Sequence, residues 1–170
     1  MSHKFDTTTA KRIRRQLLTL AKKRGDDFNL VVIRYGPERL LYRLSRSAYR
    51  NDFVLKGAML FTLWYKDNHR ATRDLDLLGY GAVNHERLRV IFNDLCTLPC
   101  EDDGMTFLAA TLEVSDIRAE SEYGGLRIDL TCTLDTINNI RLQVDVGFGD
   151  AVVPAPGEAD FPTMLDMPAP

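Results

Sequence analysis

Two aspartates stand two residues apart inside an apolar run, in the segment RDLDLLGYG that spans residues 73–81. Successive side chains of a β-strand point to opposite faces, so Asp74 and Asp76 share one face. Leu75 and Leu77 share the other. Two neighbouring carboxylates repel each other, and both resist removal from water. The segment is therefore restricted to a strand with one apolar side and one acidic side, and the acids need either solvent or a cation.

A divalent cation would offset both costs of placing these acids together. Mg²⁺ is commonly held by one or two protein carboxylates, and water and substrate phosphate oxygens complete its coordination shell. A third acid, Asp145, stands between valines in LQVDVGFG, and Asp129 in LRIDL is the competing candidate. We therefore predict a Mg²⁺ or Mn²⁺ site at Asp74, Asp76 and Asp145, and a solvated strand edge is the alternative.

Basic residues and a glycine precede the acidic strand. Lys56-Gly57 ends the predicted strand FVLKG, and a glycine at a strand-to-helix junction allows backbone N–H groups to approach a phosphate. Arg70 and Arg73 lie just before Asp74, and a guanidinium can bind a phosphate through two hydrogen bonds. We predict that these four residues bind the phosphates of a nucleotide. Alternatively, the cations neutralise the acids structurally, and Gly57 only opens a helix.

The periodicity of apolar residues alternates between the helical and the strand type. Helical spacing occurs in residues 7–25 and in residues 26–47, where Gly36-Pro37 is expected to restart the helix. AMLFTLWYKD is predicted as a mostly buried helix with Trp64 on its inner face, and VNHERLRVIFNDLCTL as another helix. The segments that follow, up to residue 149, are rich in strands. This order predicts an α/β or α+β domain with a mixed sheet flanked by helices.

Charge is distributed unevenly along a chain whose formal net charge is only −2. Residues 1–73 contain 17 of the 22 Lys and Arg residues, whereas the remainder contains 18 of the 24 Asp and Glu residues. The first predicted helix has a basic face, formed by Lys11, Arg12, Arg14, Arg15, Lys22, Lys23 and Arg24. Such a face can bind the phosphate backbone of RNA, or it can be an ordinary solvated surface.

The sequence also excludes some classes of protein. It contains no apolar run of the roughly 18 residues that indicate a membrane span, and its first residues lack the pattern of a signal peptide. Its three cysteines are odd in number and lack the CxxC spacing of a metal site. These features predict a cytoplasmic protein with reduced thiols and no membrane partner.

The stretch FVLKGAMLFTLW…HRATRDLDLLGYG resembles the AbiEii/AbiGii toxin family of nucleotidyltransferases, and the similarity extends over residues 10–170. Its most specific part is the Arg-x-Thr-x-Asp-Leu-Asp element at residues 70–76. The resemblance implies a DNA polymerase β-like nucleotidyltransferase fold in a bacterial or archaeal cytoplasmic enzyme of abortive infection. It further implies Mg²⁺-dependent transfer of a nucleotide from a nucleoside triphosphate to RNA, in characterised members tRNA. An antitoxin protein is often encoded beside such a toxin.

The resemblance divides the chain into three parts. Residues 1–50 are expected to form a helical segment packed on the core, residues 51–150 the nucleotidyltransferase core, and residues 151–170 a proline-rich connector. Family members continue into a C-terminal helical region that carries a functional lysine, to which this connector would lead. In this chain, Ala58 and Met59 stand where the family usually has Gly-Thr or Gly-Ser after Lys-Gly.

These departures leave two functions open at the level of sequence. In the first, the complete protein is a nucleotidyltransferase toxin. In the second, the chain is a truncated and catalytically inactive module of the same fold, which binds nucleotide or a protein partner. An apolar surface exposed where the C-terminal region would dock predicts self-association as a homodimer.

Overall fold

The computed structural model describes residues 7–64, 73–117, 124–149 and 152–170. The elements in chain order are α1 (Thr7–Arg24), α2 (Phe28–Arg46), β1 (Phe53–Lys56), α3 (Phe61–Trp64), β2 (Asp74–Gly79), α4 (His85–Thr97), β3 (Met105–Ile117), β4 (Gly125–Leu134) and β5 (Ile137–Phe148). Short 3₁₀ turns at Arg50–Asp52 and Gly57–Leu60 flank β1. None of the helices within the described ranges is long and apolar enough to cross a membrane.

The described strands form one five-stranded sheet in the order β1-β2-β5-β4-β3. β2 and β5 run parallel, and every other neighbouring pair is antiparallel. Alternate apolar residues of these strands form a single core with the buried faces of α1, α2 and α4. The predicted mixed sheet flanked by helices is therefore confirmed.

Two of the long helices bury the residues that their periodicity indicates. Buried positions recur every three or four residues at Ala10, Ile13, Leu17 and Ala21 of α1, and at Leu88, Ile91, Phe92 and Leu95 of α4. α1 approaches the sheet closely at Gly104, the residue before β3. A Cβ on Gly104 would lie only 2.9 Å from the Ala10 Cα and 3.2 Å from a Leu134 methyl carbon. α1 thus lies on the core face of the sheet.

Two predictions about helices were wrong. α2 is continuous from Phe28 to Arg46 and is not restarted at Gly36-Pro37. Gly36 packs tightly on the sheet, since a Cβ there would lie 3.3 Å from Leu142 Cδ1, and this contact favours a continuous helix despite the hydrogen bond that Pro37 removes. After β1 the chain forms a 3₁₀ turn and a single helical turn, and Trp64 is 65% exposed instead of buried.

A cluster of charged side chains lies inside the core, where no charge was predicted. Glu38, Arg39, Arg43 and Asp103 are each at most 3% exposed. Arg43 donates two hydrogen bonds to Asp103, from Nη1 to Oδ2 at 2.6 Å and from Nη2 to Oδ1 at 3.1 Å. Arg39 Nε lies 3.6 Å from the same carboxylate. Opposite charges in contact offset much of the cost of removing these groups from water.

The same cluster binds the C-terminal segment to α2. The Met164 N–H donates to Glu38 Oε2 at 2.9 Å, and Arg39 Nη2 donates to the Pro168 carbonyl at 2.7 Å. Phe161 is only 6% exposed and belongs to the core. Residues 152–170 contain no helix or strand, yet they are attached to the domain by both hydrogen bonds and apolar contacts.

One glycine allows the chain to leave β1 beside the acidic strand. Gly57 directly follows β1 and has φ +73°, a backbone conformation that side chains with a Cβ rarely adopt. A Cβ at Gly57 would also overlap with the carboxylate of Asp76. Both the backbone conformation and this close contact therefore require glycine.

We expect Gly57→Ala to lower the free energy of unfolding by about 2 kcal/mol, because it adds backbone strain and a steric clash with Asp76. Gly157→Ala is the matched control, since a Cβ at Gly157 would have no heavy atom within 4 Å. Urea denaturation of both variants measures the difference. Equal stability of the two variants would contradict the close contact.

A pH dependence of stability follows from Glu38. Burial raises the pKa of Glu38 to about 7, although the Met164 N–H and Arg39 act to lower it. Between the unfolded value near 4.5 and the folded value, the folded protein holds a proton that the unfolded chain has released. Stability should therefore decrease as the pH rises through this window, by up to about 3 kcal/mol.

Glu38→Gln removes this ionisation and retains an oxygen that can accept the Met164 N–H. We expect the variant to lose most of the decrease in stability between pH 5 and pH 8, as measured by thermal unfolding at a series of pH values. The exposed Glu101→Gln should keep the slope of the parent protein. A parent protein whose stability does not fall over this range would contradict the assignment.

Candidate functional site

Three predicted residues face each other across three adjacent strands. In the strand register, Asp76 of β2 lies opposite Lys56 of β1 on one side and opposite Asp145 of β5 on the other. Asp74 lies opposite Gln143. Residues opposite each other in a sheet project from the same face. The predicted acids therefore share one face of the sheet, together with Lys56.

The other face of the same strands is apolar. Leu75 and Leu77 of β2, and Val144 and Val146 of β5, are each at most 1% exposed. Asp76 and Asp145 are partly buried, whereas Asp74 is exposed. The period of two in both strands thus buries the aliphatic side chains in the core and leaves the carboxylates on the open face.

The carboxylates interact electrostatically. Burial raises the pKa of Asp76, the neighbouring Asp145 and Asp74 raise it further, and Lys56 lowers it. A carboxyl group whose ionisation is disfavoured by two like charges binds a cation more readily than an isolated one, because the cation removes the repulsion.

Asp145 already has a cationic partner, which was not predicted. Arg127 lies opposite Asp145 on β4 and donates from Nε to Oδ1 at 2.8 Å and from Nη2 to Oδ2 at 2.9 Å. The Gln143 amide oxygen, when it is turned toward this guanidinium, accepts from Nη2 at 3.1 Å. The sequence does not indicate that Arg127 or Gln143 belongs to the site, because their place beside the acids depends on the register of β4 and β5.

The competing third carboxylate lies farther away. Asp129 stands on β4 opposite Gln143 and is exposed, so one strand separates it from the acids of β2. Asp145 is the direct register neighbour of Asp76. Of the two candidates, the geometry brings Asp145 and not Asp129 next to the acidic strand.

The structure describes three of the four predicted phosphate-binding residues. Lys56 ends β1, Gly57 follows it against Asp76, and Arg73 is exposed immediately before β2. Arg70 lies outside the described residues. The residues that are described therefore cluster at the end of β1 and the beginning of β2.

The chemistry of these side chains fits a magnesium or manganese ion. Both ions prefer oxygen ligands, and the partial exposure of the acids leaves them accessible to a hydrated cation. Within the described part of the chain, no three Asp, Glu, His or Cys side chains converge closely enough to hold a metal ion. Asp74, Asp76 and Asp145 share the face without converging, and both oxygens of Asp145 are turned to Arg127.

Comparisons with known proteins identify the family. The family described as nucleotidyl transferase AbiEii toxin of type IV toxin–antitoxin systems matches residues 39–170. Among solved structures, the chain is similar to MenT4, a nucleotidyltransferase toxin from Mycobacterium tuberculosis H37Rv, with 20% identity and a TM-score of 0.46. That match covers 79% of this chain and 42% of the MenT4 chain. A search of curated proteins gave no significant match.

The family match spans most of the chain and includes β1, β2 and β5, the three strands that carry the acids and Lys56. It agrees with the resemblance that the Arg-x-Thr-x-Asp-Leu-Asp element indicated. The chain belongs to the AbiEii family of nucleotidyltransferase toxins of type IV toxin–antitoxin systems.

Proposed function

We propose that this chain forms the metal- and nucleotide-binding part of a toxin that transfers a nucleotide from a nucleoside triphosphate to an RNA hydroxyl. The observation that carries the proposal is the row of register partners Lys56, Asp76 and Asp145 on the open face of the sheet. Asp74, Asp76 and Asp145 would hold Mg²⁺ or Mn²⁺. Membership of the nucleotidyltransferase family supports the reaction class.

When bound, the metal supplies positive charge that lowers the pKa of the acceptor hydroxyl and stabilises the leaving pyrophosphate. The acceptor oxygen would form a bond to the α-phosphorus while the bond from that phosphorus to the bridging oxygen of the β-phosphate breaks. Pyrophosphate leaves with that oxygen, and the hydroxyl proton passes to a carboxylate or to water. Lys56 and Arg73 would bind the phosphates, and Gly57 allows the main chain to pass close to the acids.

RNA is the proposed acceptor because α1 presents a dense basic surface. Its sequence contains no acidic residue, and six of its cations are exposed: Lys11, Arg12, Arg15, Lys22, Lys23 and Arg24. Neutralising phosphates by such side chains releases counterions and favours nucleic-acid binding. We propose tRNA as the acceptor and an antitoxin protein as the partner that restrains the toxin.

A non-catalytic binding module is the second candidate. Two observations favour it: Ala58 and Met59 follow Gly57 without a hydroxyl group, and the Arg127 guanidinium occupies both oxygens of Asp145. In that case the fold would bind nucleotide or a protein partner without transferring a nucleotide. A homodimer, predicted from sequence, is a further proposal.

Substitution of the acids tests the site. We expect Asp76→Asn and Asp145→Asn to weaken Mn²⁺-dependent binding of nucleoside triphosphate at least about tenfold, because each removes a charged ligand. Asp129→Asn is the matched control and should bind like the parent protein. Thermal-shift titration with Mn²⁺ and each triphosphate measures the loss, since a ligand that binds only the folded state raises its stability.

Asp76→Asn should not lower the stability of the metal-free protein, because it removes a carboxylate whose pKa is raised by burial and by its acidic neighbours. A loss of binding with unchanged stability would therefore assign the effect to the site. If Asp129→Asn abolished binding and Asp145→Asn did not, the assignment of the third carboxylate would be wrong.

The basic face of α1 can be tested by its dependence on salt. We expect replacement of Lys22, Lys23 and Arg24 by Gln to weaken RNA binding and to reduce the slope of log K against log salt concentration by about 2. A control variant with Arg46, Arg50 and Arg89 replaced by Gln loses the same charge at dispersed exposed sites. Filter binding to tRNA at several salt concentrations measures both, and equal slopes would exclude a specific role for α1.

A further inference from the structure

We propose that Arg127 is an exchangeable counter-ion of the carboxylate site. Its guanidinium holds Asp145 in the metal-free protein, gives way when a divalent cation binds Asp145, and then pairs with the triphosphate. Arg127 would thus set how strongly the metal must compete for Asp145 and would also contribute a contact to the triphosphate. This inference rests on the proposed function, because it assumes that Asp145 is a metal ligand.

The geometry of the pair makes the competition direct. Arg127 Nε and Nη2 reach the two different oxygens of Asp145 at 2.8 and 2.9 Å. A guanidinium bound in this two-pronged manner uses both carboxylate oxygens. A metal that takes an oxygen of Asp145 must therefore displace at least one of the two hydrogen bonds.

The exposure of the pair makes exchange feasible, as a comparison within this chain indicates. Arg43 and Asp103 form the same two-pronged pair, but their side chains are only 3% and 1% exposed. Breaking that pair would leave two charges without water. The side chains of Arg127 and Asp145 are 38% and 22% exposed, so water can replace each partner when the pair opens. Of these two pairs, Arg43–Asp103 is enclosed in the core, and Arg127–Asp145 is within reach of solvent.

The surroundings of Arg127 keep its guanidinium beside the site after release. The Gln143 amide oxygen can accept from both nitrogens that bind Asp145, at 3.1 Å from Nη2 and 3.3 Å from Nε. Gln143 lies opposite Asp74 on one side and opposite Asp129 on the other. The guanidinium therefore has neighbours that hold it near the acids as a cation available to phosphate.

If Arg127 exchanges in this way, replacing it should strengthen the binding of one ligand and weaken the binding of another. For Arg127→Met, we expect Mn²⁺ alone to bind about tenfold more tightly, because its competitor for Asp145 is absent. Inorganic tripolyphosphate, a probe that lacks a base, should bind the Mn²⁺-loaded variant about tenfold more weakly. Arg127→Lys keeps the charge without the two-pronged geometry and should lie between the variant and the parent protein in both measurements.

Arg141→Met is the matched control, because Arg141 is an exposed cation on the same face of β5 as Asp145. It should change either affinity less than about twofold if contact, and not overall charge, is responsible. Electron paramagnetic resonance of free Mn²⁺ measures metal binding, and calorimetry measures tripolyphosphate binding. Thermal unfolding of each variant verifies that it is folded at the temperature used.

The possible results distinguish a failure of the counter-ion role from a failure of the proposed function. If Asp76→Asn abolishes Mn²⁺ binding but Arg127→Met leaves it unchanged or weaker, the counter-ion role is overturned and the proposed function stands. Tighter Mn²⁺ binding with unchanged tripolyphosphate binding likewise overturns the exchange. If neither the parent protein nor Arg127→Met binds Mn²⁺, the proposed metal site is overturned, and the role of Arg127 with it.

Discussion

β2 and β5 are distant in sequence, and their parallel pairing brings Asp76 directly opposite Asp145. Because side chains alternate along each strand, a shift by one residue would turn the acids toward the helices and the aliphatic residues toward solvent. Leu77 and Val146 are also register partners and are completely buried. The core thus determines the register, and the register determines which charges meet on the open face.

The open face then has to accommodate the neighbouring acids Asp74, Asp76 and Asp145. Lys56 borders Asp76 on one side, and Arg127 binds Asp145 on the other. These cations offset part of the repulsion between the acids, which stay within reach of solvent. In the interior, by contrast, Arg43 and Asp103 are fully enclosed and connect α2 to the start of β3. In our proposal, the same chemical pair thus serves cohesion in one place and ligand exchange in the other.

The strand pattern of the site could be predicted from sequence because the period of two is local. Leu75 and Leu77 are buried and the acids are not, as the alternation indicates. The partner of Asp145 could not be predicted, since it depends on how β4 pairs with β5. Arg70 lies outside the described residues, so its predicted contact with phosphate stays a prediction. Family membership was accessible from the motif alone.

The helices illustrate a second limit of sequence patterns. Pro37 suggests an interruption when it is considered alone, but the packing of Gly36 on Leu142 outweighs it. Glu38 and Arg39 occupy helix positions that usually face water, and both are buried instead. Some of their partners come from the C-terminal segment, which is remote in sequence. Local rules cannot anticipate burial that a distant segment creates.

α1 lies on the core side of the sheet, and the acids lie on the other side. A sheet and a helix layer stack about 10 Å apart, so the cations of α1 and the carboxylates are separated by roughly the thickness of the domain. A mononucleotide can touch only one of the two surfaces. A folded RNA with a protruding end is long enough to pass round the edge of the sheet and reach both. If RNA is the acceptor, as proposed, the placement of α1 would favour a folded RNA over a mononucleotide.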